Sequence, residues 1–223
     1  YQEHTDMSMA LNACIEHGFQ GFRIVIQPQV ETKNGRMFGG EVLLRWKNEG
    51  KEISPSTFVP ILEQTGMIAP VGKWILEETM RKGKEILKYQ PDFRLSVNVS
   101  YLQIMDQKFF PFLEDTMERF QIPAENLLIE LTETHFDEMP EHLQRFIRQC
   151  KQIGIRFALD DFGSAYSGLQ LLLQYPADLI KLDRTLMREI TTSKEKMRFI
   201  MSVVYACHQF GKEVCVEGVE TKE

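Results

Sequence analysis

Five short apolar runs finish in groups that could do chemistry. Leu95-Ser-Val-Asn98 ends in an amide, Leu127-Leu-Ile-Glu130 in a carboxylate and Phe157-Ala-Leu-Asp160-Asp161 in two. Leu179-Ile-Lys181 ends in an amine and Val214-Cys-Val-Glu217 in a further carboxylate. A sixth run, Met37 to Trp46, carries Glu41 and Arg45; side chains two or four apart in a strand share a face, so these two do. Carboxylates gathered in one cleft repel one another unless cations are held among them. Oxygen donors without His or Cys suit Mg²⁺ or Mn²⁺ better than zinc, and adjacent aspartates can flank two ions, as two-metal phosphoryl chemistry requires. Taken singly, each residue has a bland explanation. A strand-end Glu is usually solvated, Asp-Asp before Phe-Gly can cap a turn, and Lys181 can be a surface ion-pair partner. Coincidence over five strands is the weaker account.

The elements that must position these groups follow from the pattern along the chain. Residues 3–18 predict a helix ending at Gly18, either a connector from an upstream domain or a cover for a barrel floor. Phe22–Val30 and Met37–Trp46 predict strands, and Asn34-Gly35 between them predicts an antiparallel hairpin. Thereafter helices at 55–66 and 70–90 precede a strand at 93–99. A helix near 106–121 precedes 127–131, and one at 139–153 precedes 155–161. A short helix at 166–174 precedes 178–182, and one at 194–210 precedes 213–217. Such alternation predicts a mainly parallel sheet with helices outside. In a closed barrel of this kind the carboxyl ends of the strands form one rim, where chemistry takes place. The expected fold class is therefore α/β, a TIM-like (β/α)8 barrel with an antiparallel first strand. Seven strands are counted and such a barrel has eight, so the eighth is expected to be missing.

Composition narrows the function classes. The 223 residues are 43% hydrophobic and 26% charged, as in a soluble globular domain, and the net charge of −6 argues against a broad DNA or RNA surface. No apolar run approaches the roughly 20 residues of a membrane span, and residues 1–16 lack the basic start of a signal peptide. Membrane contact is therefore not expected of this segment. The four cysteines, Cys14, Cys150, Cys207 and Cys215, form no Cys-x-x-Cys pair. Reduced thiols in the cytoplasm are expected.

Taken together, these residues resemble the EAL family of cyclic di-GMP phosphodiesterases, from Gln27-Pro28 to Glu217-Gly-Val-Glu-Thr221. The likeness lies in Glu41-Val-Leu-Leu-Arg-Trp46, Pro55-x-x-Phe58-x-Pro60, Ser96-Val-Asn-Val-Ser100, Glu130-Leu-Thr-Glu133, Asp160-Asp-Phe-Gly163 and Ile180-Lys-Leu-Asp-Arg184, in that order. The resemblance implies residues 1–20 as an N-terminal helix and 21–223 as the EAL barrel domain, truncated at its C-terminus. It implies Glu41, Asn98, Glu130 and Asp160 as metal ligands, with Asp161 on a second ion. Lys181 would orient or polarise the attacking water, Glu217 would act near the metals as a base or water-positioning group, and Glu133 would steady the loop after Asp161. Gln27, Leu43 and Arg45 would line the ligand's phosphate and base, with Asp183 near a guanine. The implied reaction uses two Mg²⁺ or Mn²⁺ ions: water attacks phosphorus in line, a ribose 3′ oxygen leaves, and the product is linear pGpG. Ca²⁺, larger and looser in geometry, is expected to inhibit. A homodimer through the loop near 161–168 is implied, in a parent protein with an upstream sensory or GGDEF domain and with or without a membrane anchor.

The chain also departs from the family pattern. Val42 replaces the name-giving alanine on the face opposite Glu41, where it should alter packing rather than ligation. Ala165 stands where Gly is common and Gly168 where Ser is, so a positive φ at 165 would strain the loop. An eighth strand with a Gln-Gly-Tyr motif, whose Gln joins the family's site, is not in the sequence. Two other functions remain open: an EAL module that binds cyclic di-GMP or a protein partner with little or no turnover, and an unrelated Mg²⁺-dependent barrel lyase or isomerase. The last explains the carboxylates but not Glu-x-Leu-x-Arg or Glu-Gly-Val-Glu.

Overall fold

The computed structural model describes residues 2–132, 140–163, 172–173, 175–188 and 190–219. The chain divides into two units, residues 1–128 with 141–155, and residues 129–140 with 156–223. Of the helix expected at 166–174, only residues 172 and 173 are described.

The first unit is built on β1 (Phe22–Val30), β2 (Met37–Asn48), β3 (Lys51–Ile53) and β4 (Arg94–Asn98). Around them run α1 (Gln2–Glu16), α2 (Pro55–Gln64), α3 (Ile68–Leu87), α4 (Tyr101–Ile104), α5 (Phe109–Phe120) and α6 (Glu141–Ile153). β2 is antiparallel to β1 and parallel to β4. Gly39 and Gly40 make this close approach possible: a Cβ at Gly39 would lie 2.6 Å from the Arg94 carbonyl, and one at Gly40 would lie 2.4 Å from the Ile26 side chain. The Gly-Gly pair thus lets β2 seat between its neighbours immediately before Glu41. Val42 is 3% exposed and pairs with Ile26 and Val97, on the packed side of the strand.

Aromatic packing holds this unit together. Phe22, Trp46 and Phe58 are buried with Leu11, Cys14, Ile61, Leu62, Ile68 and Val71. The Trp46 and Phe58 rings meet edge-on at 5.6 Å and Phe22 lies 6.0 Å from Trp46. Leu11 and Cys14 bring α1 into the same cluster. Each fully buried Leu or Phe is worth about 1.5–3 kcal/mol. In α6 the buried residues are Leu143, Phe146, Ile147 and Cys150, the i, i+3, i+4, i+7 stripe of a helix with one apolar face.

The second unit carries the C-terminal part of β5 (Leu127–Thr132), then β6 (Arg156–Phe162), β7 (Leu179–Leu182) and β8 (Glu213–Val216), with α7 (Arg184–Met187) and α8 (Lys194–Gln209). β6, β7 and β8 are parallel and adjacent in that order. Asp178 ties their starts: its Oδ2 accepts from the Phe157 N–H at 2.8 Å, and its carbonyl accepts from the Glu213 N–H at 2.9 Å. The buried Lys212 donates to the carbonyls of Tyr175 and Ala177 at 3.0 and 2.9 Å, fixing the chain as it enters β7.

Two hairpins differ from expectation. Val30 pairs with Met37, so the expected β1–β2 turn is a six-residue connection, with Gly35 at φ 70° and Asn34 not at positive φ. Glu31 closes it, accepting from the Gly35 N–H at 2.8 Å and donating its own N–H to Arg36 at 2.8 Å. The tight turn is one element later, where Asn48 pairs with Lys51 across Glu49 (φ 47°) and Gly50 (φ 81°). Positive φ at both central residues matches the right-handed twist of a hairpin. It adds β3 to the seven strands expected.

Candidate active site

Within the second unit, the strand-end groups converge. Lys181 on β7 is 1% exposed, and its ammonium lies 2.7 Å from Glu130 Oε2, 2.9 Å from Asp160 Oδ1 and 2.8 Å from Glu217 Oε1. β5, β6, β7 and the residue following β8 thus each bring one charge to the same place. Parallel strands explain this: Lys181 stands beside Cys215, two residues before Glu217, in the β7–β8 ladder. An ammonium has three N–H donors, and each meets a carboxylate. Burying an amine this deeply is unfavourable unless it is paired; here the ammonium lies within 2.9 Å of three carboxylates.

The aspartate pair is placed by a local irregularity. In the β6–β7 ladder Leu159 pairs with Ile180 but Phe162 with Leu182, so β6 carries an extra residue. Asp161 sits in that bulge at φ 56°, a left-handed conformation uncommon outside glycine but tolerated by Asp. In a regular strand neighbours point to opposite faces; a bulge re-aims one of them. As a result Asp160, Asp161 and Glu217 each offer a carboxylate oxygen within 4.8 Å of the other two. Oxygens around one Mg²⁺ at about 2.1 Å are at most about 4.2 Å apart. Three carboxylate oxygens gathered this closely can close on one ion or flank two. An all-oxygen donor set of this sort fits Mg²⁺ or Mn²⁺.

Within the first unit, Glu41 and Asn98 meet: Asn98 Nδ2 donates to Glu41 Oε1 at 2.9 Å. Glu41 pairs with Ser96 in the parallel ladder, which sets the two side chains near each other. Gln27 stands opposite Glu41, Leu43 opposite Val25, and Arg45 opposite Arg23, so Glu41, Leu43 and Arg45 share one face. Arg45 Nη1 donates to the Leu44 carbonyl at 2.9 Å.

Other expected site residues have different surroundings. Asp183 caps α7, its Oδ1 accepting from the Thr185 N–H at 2.8 Å and from the Thr185 hydroxyl. Glu133, Ala165 and Gly168 lie outside the described residues. All four cysteines are free thiols, and burial pushes those of Cys14, Cys150 and Cys207 up, away from the reactive thiolate form. Sequence reasoning overlooked the bulge and the hydrogen-bonded turn after Asn98. The second had a signal, because Ser100-x-x-Gln103 has the spacing of a capping box.

This chain belongs to the EAL domain family, whose sequence model matches residues 10–223. It is 29% identical over 216 residues to the signaling protein YkoW of Bacillus subtilis, which covers 96% of this chain and 27% of that protein. It is also 29% identical over 205 residues to a cyclic di-GMP phosphodiesterase of Pseudomonas aeruginosa, covering 92% of this chain and 35% of that protein. This chain therefore spans about a third or less of the length of these relatives. Among solved structures, the PaMucR phosphodiesterase in complex with c-di-GMP matches with a TM-score of 0.87 and 29% identity, covering 97% of this chain and 88% of that one. The fold class is the TIM-like α/β barrel of EAL domains, as the sequence pattern predicted. Among the described residues, no helix is long and apolar enough to cross a membrane.

Proposed function

We propose that this chain hydrolyses cyclic di-GMP to linear pGpG, using two Mg²⁺ or Mn²⁺ ions held by Glu41, Asn98, Glu130, Asp160 and Asp161. The observation that carries the reading is the buried Lys181 ammonium within 2.9 Å of three carboxylates, in a chain of the EAL family. Divalent cations bound there would stabilise charge on the phosphoryl oxygens and make water a nucleophile at neutral pH.

The chain's own residues supply the remainder. Lys181 would hold its protons on Nζ and present donors to water or a phosphoryl oxygen. Glu217 is the most exposed of the three carboxylates around Lys181, 27% against 11% for Asp160 and 0% for Glu130, so it is the group suited to take a proton from water. Asp160 and Asp161, divided by the bulge, hold positions rather than protons. Gln27, Leu43 and Arg45 bind and orient the ligand, and Arg45 offers a planar fork that suits a phosphate. Glu133 steadies the loop after Asp161, and Asp183 approaches a guanine with the oxygen not engaged by Thr185. Ca²⁺ inhibits. The same reading has a homodimer in the cytoplasm, in a parent protein with an upstream sensory or GGDEF domain.

The test is incubation of the full-length protein with cyclic di-GMP and Mg²⁺ or Mn²⁺, followed by separation of the nucleotides. Formation of pGpG that disappears in Glu41→Ala is expected. Tight binding without turnover would instead make the protein a receptor, and neither binding nor turnover would discard the reading.

A further inference from the structure

The turn that follows Asn98 is locked from three sides, and none of those contacts serves the site directly. β4 ends at Asn98, and two residues later Ser100 caps the start of α4. The Ser100 hydroxyl donates to Glu63 Oε1 on α2 at 2.7 Å. The Ser100 N–H donates to Gln103 Oε1 at 3.0 Å, and the Gln103 N–H returns to the Ser100 carbonyl at 3.0 Å. Gln103 is 4% exposed and lies against α3 at Gly72, where a Cβ would come within 1.9 Å of Gln103 Nε2. Gly72 is therefore the space in which the Gln103 amide rests. Helix capping alone does not explain this outlay: α4 has four residues, yet a carboxylate, a buried amide and a glycine are used to fix the residue that precedes it.

We infer that Glu63, Ser100 and Gln103, with the cradle at Gly72, are positioning residues that set the direction of the Asn98 amide and so tune cation binding at the candidate centre. Asn98 is exposed, so the direction of its side chain depends on the path the backbone takes through residues 98–100. Rotation there would swing Nδ2 away from Glu41, and hydrogen-bonded partners behind a ligand commonly govern metal affinity by 10–100-fold, on the order of magnitude seen for such supports. The inference rests on the reading of Asn98 as a metal ligand.

The test is Mn²⁺ binding to the full chain without nucleotide, read from the electron paramagnetic resonance of free Mn²⁺. Asn98→Ala is expected to weaken binding, and Ser100→Ala to weaken it about tenfold. Ser100→Thr keeps the hydroxyl and should bind as the parent does. Glu63→Ala should repeat the loss from the other end of the bond, so the test survives if Ser100→Ala fails to fold. In the Asn98→Ala background, Ser100→Ala should change nothing further, because it acts through the side chain already removed. An additive loss in that double variant would mean a merely structural role and overturn the inference. So would parent-like binding in both Ser100→Ala and Glu63→Ala while Asn98→Ala is weakened, an outcome that leaves the proposed function standing. Parent-like binding in Asn98→Ala would remove Asn98 from the ligand set, and the inference with it.

Discussion

The Lys181 ammonium holds together charges that would otherwise repel, and its removal has two separable consequences. In Lys181→Met the carboxylates of Glu130, Asp160 and Glu217 lose the cation that lies within 2.9 Å of each. Removing one partner of a buried pair costs about 3–5 kcal/mol, so chemical denaturation in EDTA should show a loss of that size. Turnover should fall by roughly 10²–10⁴-fold if Lys181 directs the attacking water. Wild-type-like stability in EDTA would refute the structural part, and wild-type-like turnover the catalytic part. The residues of this cluster were legible because each ends an apolar run, and parallel strands deliver their ends to one side. What the pattern could not show is how both Asp160 and Asp161 take part: strict alternation points them apart, and it is the extra residue in β6, with Asp161 at φ 56°, that re-aims one. A bulge changes pairing by one residue and leaves composition and periodicity almost untouched.

Elements were read more reliably than the turns that join them. All seven expected strands are present within a few residues of their expected bounds, since a run such as Leu-Leu-Ile buried on both faces has few other folds open to it. The turns differed because Asn-Gly is a preference and not a constraint. Glu31 engages the Asn34 amide and the Arg36 guanidinium at 2.9 Å each, which fits the longer connection, whereas Glu49-Gly50 closes a tight turn without the favoured Asn. At α7 the cap gives a pH-dependent prediction. Burial pushes the Asp183 carboxyl up, but hydrogen bonds from the Thr185 hydroxyl and N–H, with the N–H and charge of Arg184, outweigh it and hold the group below its ordinary value. A depressed folded-state pKa contributes stability above the unfolded value, near pH 4 (about 3.9 for Asp), and the contribution is lost as pH falls through the folded value. Asp183→Ala should therefore cost about 1 kcal/mol at pH 7, and the difference from wild type should shrink on acidification below about pH 4. Urea denaturation at neutral and acid pH measures it; a difference that grew toward acid would contradict the sign.

At the scale of the whole molecule, the proposed cation binding should be linked to folding. Asp160, Asp161 and Glu217 bring oxygens within 4.8 Å of one another, an arrangement that a bound cation would favour. A divalent cation that binds the folded state and not the unfolded one raises stability by about 2.7 kcal/mol at a hundred times its dissociation constant. For a domain of this size each kcal/mol moves Tm by about 2–4 °C, so Mg²⁺ or Mn²⁺ should raise it by about 5–11 °C over EDTA. Asp160→Asn and Glu41→Ala, which remove proposed ligands carried by different units, should each lose most of that rise. Ca²⁺ separates binding from chemistry. Its oxygen preference lets it occupy the same carboxylates, while its larger radius and looser geometry do not hold water and phosphorus in line. Ca²⁺ should therefore raise Tm as Mg²⁺ does and yield no pGpG, and adding it to the Mg²⁺ enzyme should suppress turnover while the protein stays folded. A Tm that Mg²⁺ leaves unmoved, or equal turnover in Ca²⁺, would break the link between the carboxylate cluster and the reaction.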